Sequence, residues 1–354
     1  MENKKILFLP NWNIKKVDEK PEDIESSNYI IKNQKYWFFK YFKDEIDLDI
    51  IDVGVAKKRE HFERSILHCH LHQFLQAKKV YKKYDIVLCH GFPSAMLLCL
   101  YKRIFHKKIK IVLFDIGSFC TAQEKGFKLK LSQFASKSLD YVIYHTSMQK
   151  EYYDKYFKWL INKSKFIKFG INDEFYHPLN LKKEKTILCV GASFRDWETL
   201  IKAYKKLDCN DYKIKLVGPN IEEYKKYSFL EQTGKVSAEK LREEIDKSAF
   251  CVLPLISINY SYAQMSLLDS MIMSKCVLIS DVPPLRDYGE NYKSYIKYKP
   301  EDIDDCAEKL KMILENKNDI VDKISIEARK SALSWQEKDM AMAVEKVLNE
   351  VYNK

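Results

Sequence analysis

Glycine is scarce in this chain: 9 of 354 residues, about a third of what a usage of roughly 7 % would supply. It is therefore not filler, and each glycine marks a place where the backbone needs one. Gly170, Gly191 and Gly218 directly follow the apolar runs 166–169, 187–190 and 214–217, which puts them at strand ends. Close cysteine pairs are missing too. The 9 cysteines, among them Cys89, Cys99, Cys189 and Cys251, lie singly within apolar runs. That excludes a disulfide framework and reads as reduced, buried thiols of a cytoplasmic protein. No apolar run approaches about 18 residues, and the run within residues 1–13 is too short for a signal peptide. The chain is expected to be cytoplasmic, soluble or peripheral at the inner face of a membrane, and not to span it.

Zinc-finger spacing, RNP-type motifs and tandem repeats are also absent, so nucleic acid is not the expected partner of a net charge of +11. The charge is uneven. Residues 1–178 hold 32 Lys and Arg against 21 Asp and Glu, and the remaining residues hold 29 of each. A basic half joined to a neutral half suggests that the first faces an anionic surface or substrate, such as acidic phospholipid or a pyrophosphate-linked lipid.

What is present is an alternation of short apolar runs and longer helical spacers. Runs at 5–10, 49–55, 86–89, 109–114 and 141–144 read as buried strands, with helices expected within 61–84 and 125–138. The polar, proline-ended stretch 171–178 reads as a hinge. Strands then recur at 187–190, 214–217, 250–255, 277–279 and 294–296. The expected fold class is α/β, with two doubly wound Rossmann-like domains at 1–175 and 176–335. A helix at about 336–354 would pack back on the first domain.

The densest information lies in residues 252–288, where a strand, a loop of Tyr260, Ser261 and Tyr262, a helix and a second strand surround Asp269. Ligands collect in open parallel sheets where strands end and helices begin. Asp269-Ser270-Met271-Ile272-Met273-Ser274-Lys275-Cys276-Val277 resembles the nucleotide-sugar signature of family 4 of the retaining glycosyltransferases, an acidic residue before Ala-Met-Ala-x-Gly-x-Pro-Val. Residues 170–178 resemble that family's Gly-Ile-Asp-x-x-x-Phe-x-Pro junction. The resemblance implies a GT-B fold, in which two such domains face each other across a cleft, donor mainly on the second and acceptor on the first. It also implies that Asp269 accepts hydrogen bonds from the donor ribose. The family's other glutamate, which touches the donor sugar, is replaced by Ser261. A branch with a small residue and Gln before the helix resembles Ala263-Gln264, which adds Gln264 to the donor contacts.

Gly191-Ala192-Ser193-Phe194-Arg195 follows a strand and opens a helix, where a diphosphate would meet backbone N–H groups and a guanidinium. The resemblance carries the diphosphate role to Gly191, Ser193 and Arg195. A companion arginine is Ala192 here, and Lys275 is a candidate substitute. His90 and Asp115 each follow a first-domain strand on the cleft side, and Asp115 stands where family members have a histidine near the reacting sugar. Asp115 reads equally as a carboxylate capping the following turn. His68, His70 and His72 alternate on a helical segment and point in divergent directions, so no metal is expected. The aromatic and basic cluster 36–43 reads half as core and half as lipid interface.

The expectation is thus a retaining, metal-independent glycosyltransferase. It would take a UDP- or GDP-linked nucleotide-sugar and a glycan or lipid-linked acceptor in cell-surface polysaccharide or glycoconjugate synthesis. The rivals are a catalytically silent GT-B scaffold, favoured by Ser261, Ala192 and Asp115, and a sugar-nucleotide epimerase.

Overall fold

The computed structural model describes residues 3–55, 57–117, 119, 122–207, 211–258 and 261–354. Tyr260 of the entry loop lies outside them.

The apolar runs form two six-stranded, wholly parallel sheets. The first runs Ile46–Ile50, Lys4–Leu9, Ile86–His90, Ile111–Asp115, Tyr141–Tyr144, Ser164–Phe166. The second runs Leu230–Gly234, Lys213–Val217, Thr186–Val190, Phe250–Leu253, Val277–Ser280, Ile296–Tyr298. Helices cover both faces of each, so the central strands are buried on both sides and read as unbroken apolar runs. In each sheet the strand order reverses beside the first strand of the domain, and at the switch in the second sheet Asp196 N–H donates to Pro254 O at 2.8 Å and Arg195 bridges to Leu255. Crevices at such points hold ligands.

Edge strands account for the differences from the sequence reading. The strand expected at 49–55 is Ile46–Ile50, where Asp47 and Asp49 alternate with half-buried isoleucine and leucine on an edge with one wet side. Leu230–Gly234 was not foreseen, because its Glu231, Gln232 and Thr233 carry no apolar run. The run at 166–169 proves to be the exit from strand Ser164–Phe166.

Half of the cluster at 36–43 is core, and of the rest Trp37, Lys40 and Tyr41 are half-buried and Lys43 exposed. Trp37–Tyr41 is a short 3-10 helix, and Tyr36, Phe38, Phe39 and Phe42 are buried against Ile6, Phe8 and Phe114. The helix Glu337–Tyr352 closes this layer by burying Met340, Ala341, Val344, Val347, Leu348 and Val351 on the first sheet. To arrive there the chain recrosses the hinge: Ile171 N–H donates to Trp335 O at 2.9 Å, and Glu337 N–H donates to Ile171 O at 3.0 Å.

Gly170 makes this crossing possible. A Cβ there would lie 2.5 Å from Glu337 Cα and 2.7 Å from Gln336 O, both backbone atoms. Gly170→Ala is expected to cost about 1–3 kcal/mol by overpacking, read as a lower urea midpoint; an unchanged midpoint would mean that the crossing strand yields.

The domains also meet across the cleft. Tyr288 OH donates to His145 O at 2.8 Å and accepts from Phe169 N–H at 3.0 Å, while Asp287 accepts from Ser147 N–H at 2.7 Å. Among the described residues no helix is long and apolar enough to cross a membrane. The seven described cysteines are all buried and free.

Candidate active site

The helix Gln264–Ile272 follows Ala263, which takes left-handed φ 67° and offers no side-chain cap. Its first-turn N–H groups are thus left to whatever enters the cleft, and they sit at the positive end of the helix dipole. The neighbouring helix Trp197–Lys206 differs: Asp196 accepts from Thr199 N–H at 3.1 Å and closes its N-terminus. Of the two helix starts that border the second-domain switch point, the one at Gln264 is open to an anion.

Arg195 stands beside that open end. Its Nε and Nη2 donate to Val190 O at 3.0 and 2.8 Å, Nη1 to Ser193 O at 2.8 Å, and Nη2 to Ser266 Oγ at 3.2 Å. The guanidinium lies over Gly191, where a Cβ would come within 2.4 Å of Nη2. Gly191, with φ +94°, is therefore fixed as glycine by both conformation and contact. Burial lowers Arg195 to about 10, which leaves it charged at neutral pH. Four hydrogen bonds make it the clamp of the Gly191 turn, and its charge reaches the helix start through Ser266. Ser193 is exposed at the rim of the same turn.

Ser261 and Gln264 lie together. Both are buried, and Gln264 Nε2 donates to Ser261 Oγ at 3.0 Å and to Pro284 O at 3.2 Å. Lys275 does not join them. Its ammonium is buried in the second domain, donating to Asp246 O and Ser248 O at 2.7 Å each, and burial lowers it to about 7.

Asp269 stands in the second turn of the open helix. It is 6 % exposed, and Oδ1 is buried without a hydrogen-bond partner. Burial, and then the charge of Glu25, push its carboxyl well above the usual range. A buried acceptor left unpaired costs about 1–3 kcal/mol, so this atom is where a hydroxyl donor would be most welcome. Glu25, from the first domain, accepts from Tyr176 OH at 2.6 Å.

The two first-domain candidates separate. Asp115 is 1 % exposed, and its carboxylate accepts from Gly117 N–H at 3.1 Å, Phe119 N–H at 3.3 Å, Gln149 Nε2 at 3.1 Å and Tyr153 OH. It holds the turn after its strand, as the capping alternative requires. His90 closes strand Ile86–His90, stacked on Phe114 at 5.0 Å and edge-on to Trp12 at 4.6 Å. Burial lowers it to about 3, so it is neutral, and Nδ1 is buried without a partner. His68 and His72 have separate partners, Lys128 at 3.0 Å and Gln76 at 2.6 Å.

Two parallel-sheet domains facing across a cleft make up the GT-B fold. Residues 184–316, within the second domain, match the family described as Glycosyl transferases group 1. In fold the whole chain is similar to sucrose-phosphate synthase from Thermosynechococcus elongatus, with TM-score 0.72, 13 % identity, 99 % of this chain and 100 % of that chain covered. It is similar to a glycosyltransferase from Rickettsia africae, with TM-score 0.71, 16 % identity and 99 % of each chain covered. It is also similar to HepE from Anabaena in complex with UDP, with TM-score 0.68, 11 % identity, and 98 % and 100 % covered. No curated protein matches the chain in sequence.

Sequence reasoning missed the open N-terminus of the helix at Gln264, because Ala263 carries no cap signal. It also missed Glu25 and Glu337, charged residues brought to the cleft from a loop and from the C-terminal helix.

Proposed function

We propose that the protein is a retaining glycosyltransferase that takes a UDP- or GDP-linked sugar without a metal. The observation that carries this reading is the buried, unpartnered Oδ1 of Asp269 on the same helix whose N-terminus is left uncapped. A nucleoside diphosphate satisfies both at once: its ribose hydroxyls donate to Asp269, and its diphosphate takes the first-turn N–H groups of Gln264–Ile272 with Arg195 alongside. The UDP found in Anabaena HepE agrees with this choice.

In the retaining reaction the sugar leaves its diphosphate and the acceptor hydroxyl enters on the same face, its proton passing to the departing phosphate oxygen. The chain's part is to orient the two substrates and to stabilise charge on the diphosphate. The helix N-terminus and Arg195 do the latter. Ser261 and Gln264 shape the wall at the donor sugar, and His90, being neutral, contributes a hydrogen bond to a substrate hydroxyl but no charge. Asp115, with its acceptors filled, positions the turn behind the reacting centre. A thermal-shift panel of UDP-, GDP- and ADP-sugars tests the reading, because a ligand that binds only the folded state raises Tm with occupancy. A shift with one base supports it and names the donor; no shift with any would favour the silent scaffold.

The acceptor is a glycan or lipid-linked glycan, and the first domain docks at an anionic bilayer. The surface for this lies on helix Phe127–Ser136 and the end of helix Phe92–Ile104. There Phe127 is 78 % exposed, Phe134 44 %, Ile104 56 % and Phe105 59 %. Lys102, Arg103, Lys107 and Lys137 surround Phe134. Exposed aromatic rings between basic side chains suit a lipid interface. Flotation at low salt with vesicles of anionic lipid should carry the wild type upward and leave the double variant Phe127→Glu, Phe134→Glu behind. Equal flotation of both would remove this surface from the reading.

A further inference from the structure

A cavity of about 330 Å³ lies at the hinge, walled by both domains and by the start of the C-terminal helix. Trp12, Trp37, His90 and Phe114 come from the first domain, Met265 from the open helix, and Glu337 from helix Glu337–Tyr352. Three features set it apart. Its walls hold buried polar atoms without hydrogen-bond partners, His90 Nδ1 and Glu337 Oε2, the latter 4.0 Å from the Lys40 ammonium. No lysine or arginine lines it, whereas Glu25 and Glu337 both do. Trp37 sits at φ 44°, a left-handed conformation that a bulky residue adopts only where its surroundings enforce it.

Each feature narrows the occupant. A water-filled cavity would not need two indoles and a phenyl ring. A purely apolar ligand would leave the imidazole nitrogen and the carboxylate oxygen unsatisfied. A phosphate, pyrophosphate or uronate would face two glutamates with no cation on the wall; Lys40, outside it, is 4.0 Å from Glu337 and shared with Glu174 at 3.4 Å. What remains is an uncharged ring with one apolar face and several hydroxyl groups. A pyranose has that form: its axial C–H face lies on an indole, and its hydroxyls can donate to a carboxylate and to an imidazole nitrogen.

We propose that the hinge pocket holds an uncharged pyranose unit of the acceptor, stacked on Trp12 and Trp37, with hydroxyls donating to Glu337 and His90. This rests on the glycosyltransferase reading and deepens it. The anionic portion of a lipid-linked acceptor then belongs outside the pocket. The pocket itself reads a neutral sugar, and Glu337 from the C-terminal helix is its selector.

Saturation-transfer NMR with methyl glycosides of glucose, galactose and N-acetylglucosamine tests this, each recorded with and without UDP and set against glucose 6-phosphate. The expected result is transfer to at least one neutral glycoside both with and without UDP, and none to the sugar phosphate. Glu337→Ala should weaken that binding at least about tenfold, while the UDP-induced rise in Tm stays as in wild type. Glu337→Gln keeps the shape of the wall if the alanine variant fails to fold, and it should weaken binding as well. Unaltered glycoside binding in both variants would overturn the proposal, as would the absence of any glycoside signal. Displacement by UDP would also overturn it, making the pocket part of the donor site. Loss of UDP binding in the wild type would instead count against the donor reading, with the glycoside signal judged separately.

Discussion

Asp269→Ala is expected to abolish the nucleotide-dependent rise in Tm while leaving the free protein as stable as wild type or more so. The two effects have opposite origins. Two hydroxyl-to-carboxylate bonds at about 1.5–3 kcal/mol each are lost from the complex, less what the ribose hydroxyls regain from water. The net weakening should be on the order of 30- to 150-fold in Kd. In the unliganded state the same side chain is buried with Oδ1 unpartnered, and burial, then the charge of Glu25, disfavours its ionised form. Removing it therefore relieves the folded protein. The combination distinguishes a binding residue from a structural one, because truncating a structural carboxylate with filled acceptors, such as Asp115, lowers Tm first. If Asp269→Ala binds UDP as the wild type does, the ribose is held elsewhere.

Glu337→Gln should stabilise the protein by an amount that depends on pH. The Glu337 carboxyl is 4 % exposed, and burial pushes it from the ordinary 4.5 to about 7. The sign follows from proton binding. Below pH 4.5 both folded and unfolded states hold the proton, and the group imposes no pH dependence. Between 4.5 and 7 the unfolded chain has released it and the folded chain has not, so wild-type stability falls as pH rises, by about 1.4 kcal/mol per unit. Above 7 the loss levels off at roughly 3 kcal/mol. Glutamine does not titrate, so the advantage of the variant should be small at pH 4.5, grow to pH 7 and then stay constant. Urea denaturation at pH 4.5, 6 and 8 reads this directly. An advantage independent of pH would mean that Lys40 and the Trp37 indole, which act on Glu337 in the opposite sense, hold it ionised throughout.

The fold was legible because the central strands of a covered parallel sheet must be apolar on both faces. Runs such as 86–89 and 187–190 have no other reading in an alternating chain. Edge strands escape that rule: Ile46–Ile50 was misplaced, and Leu230–Gly234 passed unseen. The aromatic cluster at 36–43 was ambiguous because ring-rich sequence suits both a core and a lipid face; only the helix Glu337–Tyr352, arriving from some three hundred residues away, decides it.

The site was legible in its local part. Asp269, Gln264 and Ser261 lie within one short segment whose spacing is visible, and Gly191 with Arg195 in another. Arg195 was assigned to the diphosphate from its neighbours in sequence, whereas its four hydrogen bonds tie it to the Gly191 turn and to Ser266. The hinge pocket was not legible at all. Trp12, His90, Met265 and Glu337 share no segment, and only the packing of two domains and a returning helix brings them together.

The most direct test of the donor site is a crystal structure of the protein soaked with UDP. The diphosphate should lie on the first-turn N–H groups of Gln264–Ile272, and both ribose hydroxyls should lie within hydrogen-bond distance of Asp269. A diphosphate at the Asp196-capped start of helix Trp197–Lys206, or a ribose out of reach of Asp269, would contradict it.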